Sequence, residues 1–314
     1  MGAALSAAFI DRQLFPPQPK WSINDIPDQS GKVIIVTGGN TGIGKETVKA
    51  LLVKNAKVYV ATRNKAKSLA AIEFLRKQTG KEALFLSLDL ADLNSVKSAA
   101  KEFLSKERKL HVLFNNAGVM ESPIEQLTAQ GFDLQFGVNV IGHWYFTELL
   151  TPALLAVSRE EPDQKARVIT TSSMACYLDR LHWDAIEDTA QRRKAALDAL
   201  YNRSKHANVI VSNEVARRYG DKGIVAISVN PGNLATELQR TLTGAKKWII
   251  SKILYPAPYG ALTQLYAGTD PHALKLNGAF MVPWARVSKP CKEAQDPAIG
   301  KKLWEWLEDH TKDV

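Results

Sequence analysis

The stretch Val33–Gly44, which reads Val-Ile-Ile-Val-Thr-Gly-Gly-Asn-Thr-Gly-Ile-Gly, constrains the fold of this chain more than any other feature. The β-branched run at its start is bounded by glycines, which predicts a strand buried on both faces. Apolar residues then recur at helical spacing from Ile43 to Leu52. A strand that enters a helix through glycines leaves the first helical N–H groups free to bind an anion, and without Cβ atoms a phosphate can approach the backbone. The stretch therefore predicts a nucleotide-phosphate cradle.

The rest of the chain alternates apolar β-branched runs with amphipathic stretches. After an N-terminal arm of residues 1–30, this alternation continues through residues 31–314, which we interpret as a single domain. It predicts an α/β fold, a doubly wound, Rossmann-like parallel sheet of about six or seven strands with helices on both faces. The expected strands are 32–37, 57–62, 83–88, 110–114, 167–171, 224–229 and 279–282, and long helices are expected over 131–157 and 199–219. Ligands of such sheets bind at the carboxyl ends of the strands.

Charge and cysteine usage exclude several classes of function. The net charge is +9, but Lys and Arg are scattered among acidic residues, and no basic run is interleaved with aromatics. We therefore expect a solvated surface and no nucleic-acid partner. Cys176 and Cys291 fit neither a disulfide framework nor a metal cluster, and the histidines show no ligand spacing. These features predict no metal site and a reducing, cytoplasmic location.

The N-terminus leaves two interpretations open. Residues 1–10 are apolar but too short to span a bilayer, and Gly2 followed by Ser6 matches the myristoylation pattern. The alternative is an arm whose aromatic residues, including Phe15 and Trp21, pack on the domain.

Tyr201 and Lys205 form the sharpest chemical pair. Residues four apart share one face of a helix, so the phenol and the ammonium can address one ligand. Lowering a tyrosine pKa from about 10 to about 7 requires about 4 kcal/mol, which a buried cation and an oxidised nicotinamide are suited to supply. Tyr201 would then exchange a proton with a carbonyl or alcohol oxygen as hydride moves. A core tyrosine beside a surface lysine would show the same spacing. The choice between a catalytic pair and an ordinary helix therefore depends on other motifs.

Two more polar residues occur where the predicted elements meet. Ser173 follows the fifth strand and places a hydroxyl at the rim of the same crevice, where it can hydrogen-bond a substrate oxygen. Asn139 falls inside the long helix, and because Asn is a poor helix former we expect a local disruption there.

Taken in order, these motifs resemble those of the short-chain dehydrogenase/reductase family. The matching segments are Thr37–Gly44, Asn115–Gly118, Asn139, Ser173, Tyr201–Lys205 and Pro231-Gly232, and the resemblance covers residues 31 to about 285. It implies that Tyr201 is the acid/base, that Lys205 binds the nicotinamide ribose and lowers the tyrosine pKa, and that Asn139 supports a proton relay. Ser173 would orient the carbonyl, with Ser172 as the rival serine.

The same resemblance implies a dinucleotide cofactor. Its binding residues would be Thr37, Gly38, Asn40, Gly42, Ile43, Gly44, Arg63, Asp89, Leu90, Asn116, Ala117, Gly118, Tyr201, Lys205, Pro231, Gly232, Leu234 and Thr236. The second strand ends in Thr62-Arg63, where NAD enzymes of this fold place an acid, and a guanidinium suits a 2′-phosphate. The prediction is therefore NADP(H). Some NADPH-dependent members carry a second basic residue just before the middle glycine of the turn, where this chain has Thr41. Lys45 or Lys67 could supply that second positive charge instead.

The remaining segments suggest the substrate. The long segment 174–199 resembles the extended substrate loop of retinol-dehydrogenase-like members, as does Asn-Val-Ile-Gly-His-Trp at 139–144, and residues 236–256 would form a lid. His206 departs from that branch, and we interpret it as a helix-packing residue rather than a pocket residue. The sequence thus predicts an oxidoreductase acting on a hydrophobic ketone, aldehyde or alcohol.

Alternatives remain at this stage. They are a membrane-associated retinoid- or sterol-type dehydrogenase and a non-catalytic dinucleotide-binding regulator. The apolar strip at 248–255 could instead pack in the core or dock on a membrane surface, where positive charge would help. By analogy alone, the chain would form a homo-oligomer.

Overall fold

A computed structural model describes residues 12–234 and 254–314. Its strands form one eight-stranded sheet in the order β3-β2-β1-β4-β5-β6-β7-β8. All neighbours pair in parallel except β7 and β8, which are antiparallel. The strands are β1 Val33–Thr37, β2 Lys57–Thr62, β3 Leu84–Ser87, β4 Val112–Asn115, β5 Ala166–Thr171, β6 Ile224–Val229, β7 Phe280–Val282 and β8 Arg286–Ser288.

The doubly wound α/β fold predicted from the sequence is confirmed, with one strand more than expected. The additional strand β8 has only three residues, none of them buried, so it lacks the apolar run that marks the other strands. It pairs with β7 and is itself the edge strand on that side of the sheet. The short length and the exposed pattern explain why periodicity alone misses it.

Helices cover both faces of the sheet. They are α1 Gly42–Val53, α2 Lys65–Thr79, α3 Leu93–Lys106, α4 Leu134–Glu160, α5 Ala190–Lys194, α6 Leu197–Tyr219, α7 Ala257–Thr269 and α8 Pro297–Thr311. Successive residues of β1 point to opposite faces, as the period of a strand requires. Ile34 and Val36 join the core beneath α1, α2 and α7, whereas Ile35 joins the core beneath α3, α4, α6 and α8.

Helix α4 is the long apolar helix of the fold. Within residues 12–234 and 254–314, it is the one helix long and apolar enough to cross a membrane, and 72% of the relevant window is buried inside the protein. It packs in the helical layer formed with α3, α6 and α8. In this layer Trp144 contacts Trp304 of α8 edge to face, with ring centroids 5.5 Å apart. Its apolar character is thus used in the core of the protein.

The N-terminal arm and the two predicted substrate segments are described in part. Trp21 packs on Tyr266 with ring centroids 5.5 Å apart and donates to Asp270 at 3.0 Å, whereas Phe15 is 54% exposed. The predicted substrate loop 174–199 holds short 3-10 turns at Met174–Tyr177 and Trp183–Ala185, then α5 and the first residues of α6. Most of the predicted lid 236–256, the myristoylation pattern and much of the 248–255 strip lie outside the described residues.

Candidate active site

The turn between β1 and α1 has the geometry of an anion cradle. Gly38 and Gly42 adopt positive φ angles of 67° and 49°, a region that favours glycine. A Cβ on Gly44 would lie 2.3 Å from the carbonyl oxygen of Gly38, so only glycine fits there. Thr41, the N-cap of α1, makes no side-chain capping hydrogen bond. The first turn of α1 therefore presents N–H groups at the carboxyl end of β1.

A cavity of about 320 Å³ opens beside this turn. Most of the residues expected to bind a dinucleotide line it. These are Gly38, Asn40, Gly42, Ile43, Gly44, Arg63, Asp89, Leu90, Asn116, Ala117 and Gly118. The cavity thus runs from the glycine turn across the carboxyl ends of β2, β3 and β4, which fits an elongated dinucleotide.

Thr37 is placed differently from the other expected cofactor residues. It is fully buried and absent from the cavity lining, and its hydroxyl oxygen accepts the N–H groups of Asn116 and Ala117, both at 2.9 Å. The same hydroxyl lies 3.2 Å from the Phe114 carbonyl oxygen. Thr37 therefore holds the loop after β4 against the glycine turn, rather than contacting a ligand in the cavity.

The far end of the cavity is basic. Arg63 is exposed and lines the cavity together with Lys67, which lies on the first turn of α2. Within residues 12–234 and 254–314, no carboxylate lies within ion-pair distance of either side chain. Lys45 points elsewhere, with its ammonium 5.0 Å from the centre of the Phe74 ring. Of the two lysines considered from the sequence, Lys67 therefore lies beside Arg63. The hydroxyl of Thr62 is hydrogen-bonded to Ser68.

Lys205 is buried beside Tyr201 on α6. Its Nζ donates to the Thr171 carbonyl oxygen at 3.0 Å and lies 5.7 Å from the centre of the Tyr201 ring. Burial lowers the pKa of Lys205 to about 8. Gly118 approaches the same ammonium, since a Cβ built there would be 3.5 Å from it. The lysine is thus fixed between the end of β5 and the cavity.

The pKa of the Tyr201 phenol is set by burial in the protein alone, whereas the fall to about 7 expected from the sequence also requires the oxidised nicotinamide. Burial raises the pKa of Tyr201 to about 12, and a hydrogen bond from Ser173 opposes this without reversing it. Desolvation disfavours the phenolate, and in the protein alone Lys205 does not overcome that cost. The phenol is consequently protonated at neutral pH.

The two serines after β5 have different surroundings. Ser172 is buried, and its hydroxyl donates to the Lys205 carbonyl oxygen at 2.7 Å. Ser173 is partly exposed, accepts the Ala175 N–H at 3.2 Å and contacts the phenol of Tyr201. Ser173 is therefore the serine placed to meet a ligand beside Tyr201, while Ser172 joins β5 to α6.

Asn139 occupies an irregular segment of α4. Residues Gly137–Ile141 form a π-helical turn, so the disruption expected from the sequence is present. The Asn139 amide donates to Ser204 at 2.9 Å and to the Val119 carbonyl oxygen at 3.0 Å, and it accepts the Val119 N–H at 2.9 Å. Asn139 therefore ties the loop after β4 to α6, one residue from Lys205.

His143 is a buried residue to which the sequence gave no role. Its Nε2 lies 2.9 Å from the hydroxyl oxygen of Thr37, and its Nδ1 lies 3.2 Å from the Asn139 carbonyl oxygen. Burial lowers the pKa of His143 to about 3, so the ring is neutral at physiological pH. It connects the cofactor turn to the π-helical segment. The signals in the sequence were its position four residues after Asn139 and its place in the segment Asn-Val-Ile-Gly-His-Trp at 139–144.

The loop after β6 holds four of the residues expected to bind the cofactor, namely Pro231, Gly232, Leu234 and Thr236. Gly232 has a φ of 93° and faces Trp284, which a Cβ would meet at 3.2 Å. Leu234 is buried in a small cluster with Leu262 and Trp284. Pro231, Gly232 and Leu234 do not line the cavity beside the glycine turn, and Thr236 lies outside the described residues.

His206 of α6 is a buried residue that packs against the two cysteines. His206 is 1% exposed, with its Nδ1 3.1 Å from both the Cys176 carbonyl oxygen and the Cys291 Sγ. This agrees with a helix-packing role. Within the described part of the chain, no group of three or more His, Cys, Asp or Glu residues could hold a metal ion.

Comparison with known proteins identifies the family. The short chain dehydrogenase family model matches residues 32–185. A short-chain dehydrogenase/reductase of Armillaria gallica is 60% identical over 96% of this chain and 97% of its own length. Human Retinol dehydrogenase 11 is 35% identical over 88% of this chain and 84% of its own length. An uncharacterised protein from Mycobacterium paratuberculosis superposes with a TM-score of 0.72 at 28% identity, covering 93% of this chain and 97% of that one.

The chain belongs to the short-chain dehydrogenase/reductase family. This membership makes it an NAD(P)-dependent oxidoreductase acting on CH–OH groups, with a nicotinamide dinucleotide as cofactor. The glycine cradle and the cavity that crosses three strand ends fit that cofactor.

Proposed function

We propose that this chain is an NADP(H)-dependent oxidoreductase that interconverts a hydrophobic ketone or aldehyde and its alcohol, with Tyr201 as acid/base. The observation that carries the proposal is the buried pair Tyr201 and Lys205 on one face of α6, with Ser173 in contact with the phenol. A regulator that only bound a dinucleotide would need the glycine cradle but not this group. The catalytic arrangement therefore favours turnover.

The roles of the protein groups follow from their positions. When bound, the nicotinamide supplies or accepts the hydride at the carbonyl carbon. In the reductive direction, the neutral phenol of Tyr201 donates its proton to the substrate oxygen, which Ser173 orients by a hydrogen bond. Lys205 would hold the cofactor beside Tyr201 and would favour the phenolate that forms. Asn139 fixes the Val119 loop that borders the cavity.

The preference for NADP(H) rests on the basic end of the cavity. Arg63 and Lys67 both line it, whereas NAD-specific enzymes of this fold place a carboxylate at the end of the second strand. A guanidinium and an ammonium can form charge-assisted hydrogen bonds to a 2′-phosphate. NADH lacks this 2′-phosphate, so these two cations would have no phosphate to bind at the adenosine ribose.

The relatives suggest a second candidate. The 35% identity to human Retinol dehydrogenase 11 favours a retinoid-type substrate, in which case the enzyme would act at a membrane surface. Otherwise we propose a cytoplasmic enzyme, and in either case a homo-oligomer, by analogy with the family.

The test is oxidation of NADPH and of NADH by the purified protein with a panel of hydrophobic aldehydes and ketones, retinal included. We expect turnover with NADPH, and loss of a general acid should lower kcat by about 100-fold to 10,000-fold in Tyr201→Phe. Tyr145→Phe is the matched control, since Tyr145 is a buried tyrosine that stacks on Trp144, on the α8 side of α4. NADPH binding without turnover on any carbonyl would refute the proposal and favour a binding regulator.

A further inference from the structure

His143 has no part in the catalytic roles described above, yet it bridges two segments of the site. The residue is 3% exposed and lies at the start of the regular part of α4, directly after the π-helical turn. Its Nε2 lies 2.9 Å from the Thr37 hydroxyl oxygen, at the end of β1, and its Nδ1 lies 3.2 Å from the Asn139 carbonyl oxygen. One imidazole therefore connects the glycine turn to the segment that holds Asn139.

The hydrogen bonds of Thr37 determine which ring nitrogen of His143 carries the proton. The Thr37 hydroxyl oxygen accepts the N–H groups of Asn116 and Ala117, both at 2.9 Å, so both of its lone pairs are used. A third N–H, from the imidazole Nε2, would find no lone pair there. The hydroxyl donates its own hydrogen instead, and Nε2 at 2.9 Å is nearer than the Phe114 carbonyl oxygen at 3.2 Å. Nε2 of His143 is therefore unprotonated and accepts from Thr37.

The contact on the other side of the ring requires the same tautomer. A carbonyl oxygen can only accept, so the contact with Asn139 is a hydrogen bond only if Nδ1 of His143 carries a proton. Burial, with a smaller contribution from the charge of Lys205, lowers the pKa of His143 to about 3, so the ring carries a single proton at neutral pH. The two contacts together select the neutral imidazole protonated at Nδ1.

The Thr37 end of this connection reaches the cofactor cavity. Asn116 and Ala117, whose N–H groups Thr37 accepts, both line the cavity that fits the dinucleotide. The Asn116 side chain also donates to the Thr37 carbonyl oxygen at 2.8 Å. A continuous series of hydrogen bonds therefore runs from the loop that borders the cofactor, through Thr37 and His143, to Asn139.

The Asn139 end of the connection reaches the catalytic lysine. The carbonyl that His143 holds belongs to the π-helical turn, an irregularity frequently found at functional sites. The Asn139 amide donates to Ser204, the neighbour of Lys205, at 2.9 Å. A Cβ built on Gly118 would lie 3.1 Å from Asn139 Oδ1 and 3.5 Å from Lys205 Nζ, so the amide and the ammonium flank the same glycine of the cavity. A shift of the Asn139 backbone would therefore change the surroundings of Lys205.

We propose that His143, protonated at Nδ1, is a positioning residue that holds Asn139, and through it Lys205, in register with the loop that borders the cofactor. This inference rests on the proposed function, since it assumes that Tyr201 and Lys205 act on a bound substrate. It adds to that function a fixed tautomer and a residue whose effect reaches the reaction through Asn139.

The first test measures the tautomer by NMR of the wild-type protein labelled with ¹⁵N at histidine, because ring nitrogen shifts distinguish a protonated from an unprotonated nitrogen. We expect His143 to carry its proton on Nδ1, to show no titration between about pH 5 and pH 8, and to shift when NADPH is added. His111 is the internal reference, since its Nδ1 accepts the Val33 N–H at 3.0 Å and its proton must be on Nε2. Each signal is assigned by its loss in a single-histidine variant, and that of His143 by elimination if its own variant does not fold.

Three results of this measurement would overturn the inference. They are a proton on Nε2 of His143, a titration of its ring in that pH range, and a ring signal that NADPH leaves unchanged. None of them requires turnover, so the measurement is independent of the substrate panel.

The second test compares the kinetics of His143→Phe and His111→Phe. His111 is a matched control, because it is also a buried imidazole, 4% exposed, but precedes the amino end of β4 and does not line the cofactor cavity. We expect His143→Phe to lower kcat about 10-fold to 100-fold, since a small displacement of catalytic groups is costly. KM for the aldehyde and the Kd for NADPH, measured by fluorescence, should stay within about threefold. His111→Phe should lower the urea midpoint and leave kcat within about twofold.

The outcomes separate positioning from the reaction itself. Equal losses of kcat in the two variants, or an unchanged kcat in His143→Phe, would overturn the positioning role and leave the proposed function intact. Absence of turnover by the wild type would instead contradict the proposed function, and the NMR measurement would still decide the tautomer of His143.

Discussion

Glu148 gives a stability prediction whose size can be worked out from the structure. It is a partly buried residue of α4, and burial raises its pKa from 4.5 to about 7, with a smaller contribution from Glu308. Tyr219 opposes this rise by donating from its hydroxyl to the two carboxylate oxygens at 3.1 and 2.8 Å. A shift of this size corresponds to about 3 kcal/mol between the two protonation states.

The sign of the pH dependence follows from this raised pKa. The folded state binds the proton of Glu148 more tightly than the unfolded chain does, so its stabilising contribution is complete below about pH 4.5 and is lost as the pH rises through about 7. Glu148→Gln removes this titration and leaves an oxygen that can accept from Tyr219. The free energy of unfolding of the variant, relative to wild type, should therefore rise by about 2 to 3 kcal/mol between about pH 5 and pH 8.

The assay is urea unfolding at both pH values, followed by tryptophan fluorescence. Glu305→Gln is the control, since Glu305 is an exposed residue of α8 that pairs with Lys301 at 3.7 Å. It should change the free energy of unfolding by less than about 0.5 kcal/mol at either pH. Parallel pH profiles for wild type and Glu148→Gln would refute the reasoning, because they would mean that the folded carboxyl titrates as it does in the unfolded chain.

Three further predictions concern the candidate site. Gly44→Ala should abolish NADPH binding in a fluorescence titration, because the added methyl clashes with the backbone of the glycine turn. The double variant Arg63→Ala/Lys67→Ala should weaken NADPH binding about 10-fold to 1000-fold with little change for NADH, since the lost contacts are charge-assisted hydrogen bonds. Ser173→Ala should lower kcat by about 100-fold. Ser172→Ala should retain turnover and lose about 1 kcal/mol of stability by denaturant unfolding. Equal kinetic losses in the two serine variants would contradict the assignment.

The parts of the site that the sequence predicted are those set by local spacing. The glycine turn follows from Gly38, Gly42 and Gly44, and the shared face of Tyr201 and Lys205 follows from the period of a helix. Neither depends on a distant part of the chain, so the pattern alone was sufficient. The doubly wound parallel sheet followed because alternating strands and helices admit few topologies.

What the sequence missed depends on contacts between distant segments. Thr37 belongs to the glycine motif, yet its hydroxyl is used by the loop after β4, which no spacing reveals. Arg192 donates to the Ile124 carbonyl oxygen, and Gln135 donates to the Leu197 carbonyl oxygen. Both hydrogen bonds require that residues 124–135 and 192–197 meet in space. Arg192 occurs in a charged stretch typical of solvated surface, and only tertiary structure shows that it is buried. Likewise, β8 is stabilised by pairing with β7 rather than by its own apolar residues.

The opposite pKa shifts of Tyr201 and Lys205 lead to a final prediction about direction and pH. Burial raises the pKa of Tyr201 to about 12 and lowers that of Lys205 to about 8, so it favours the neutral form of both groups. A neutral phenol can donate a proton, which prepares the protein for carbonyl reduction, whereas oxidation needs a phenolate and therefore the positive charge of an oxidised nicotinamide. Lys205 loses its charge above about pH 8, so kcat/KM for NADPH-driven reduction should be level near neutral pH and fall above about pH 8. A profile that stays level to about pH 10 would mean that Lys205 keeps its proton or does not assist the phenol.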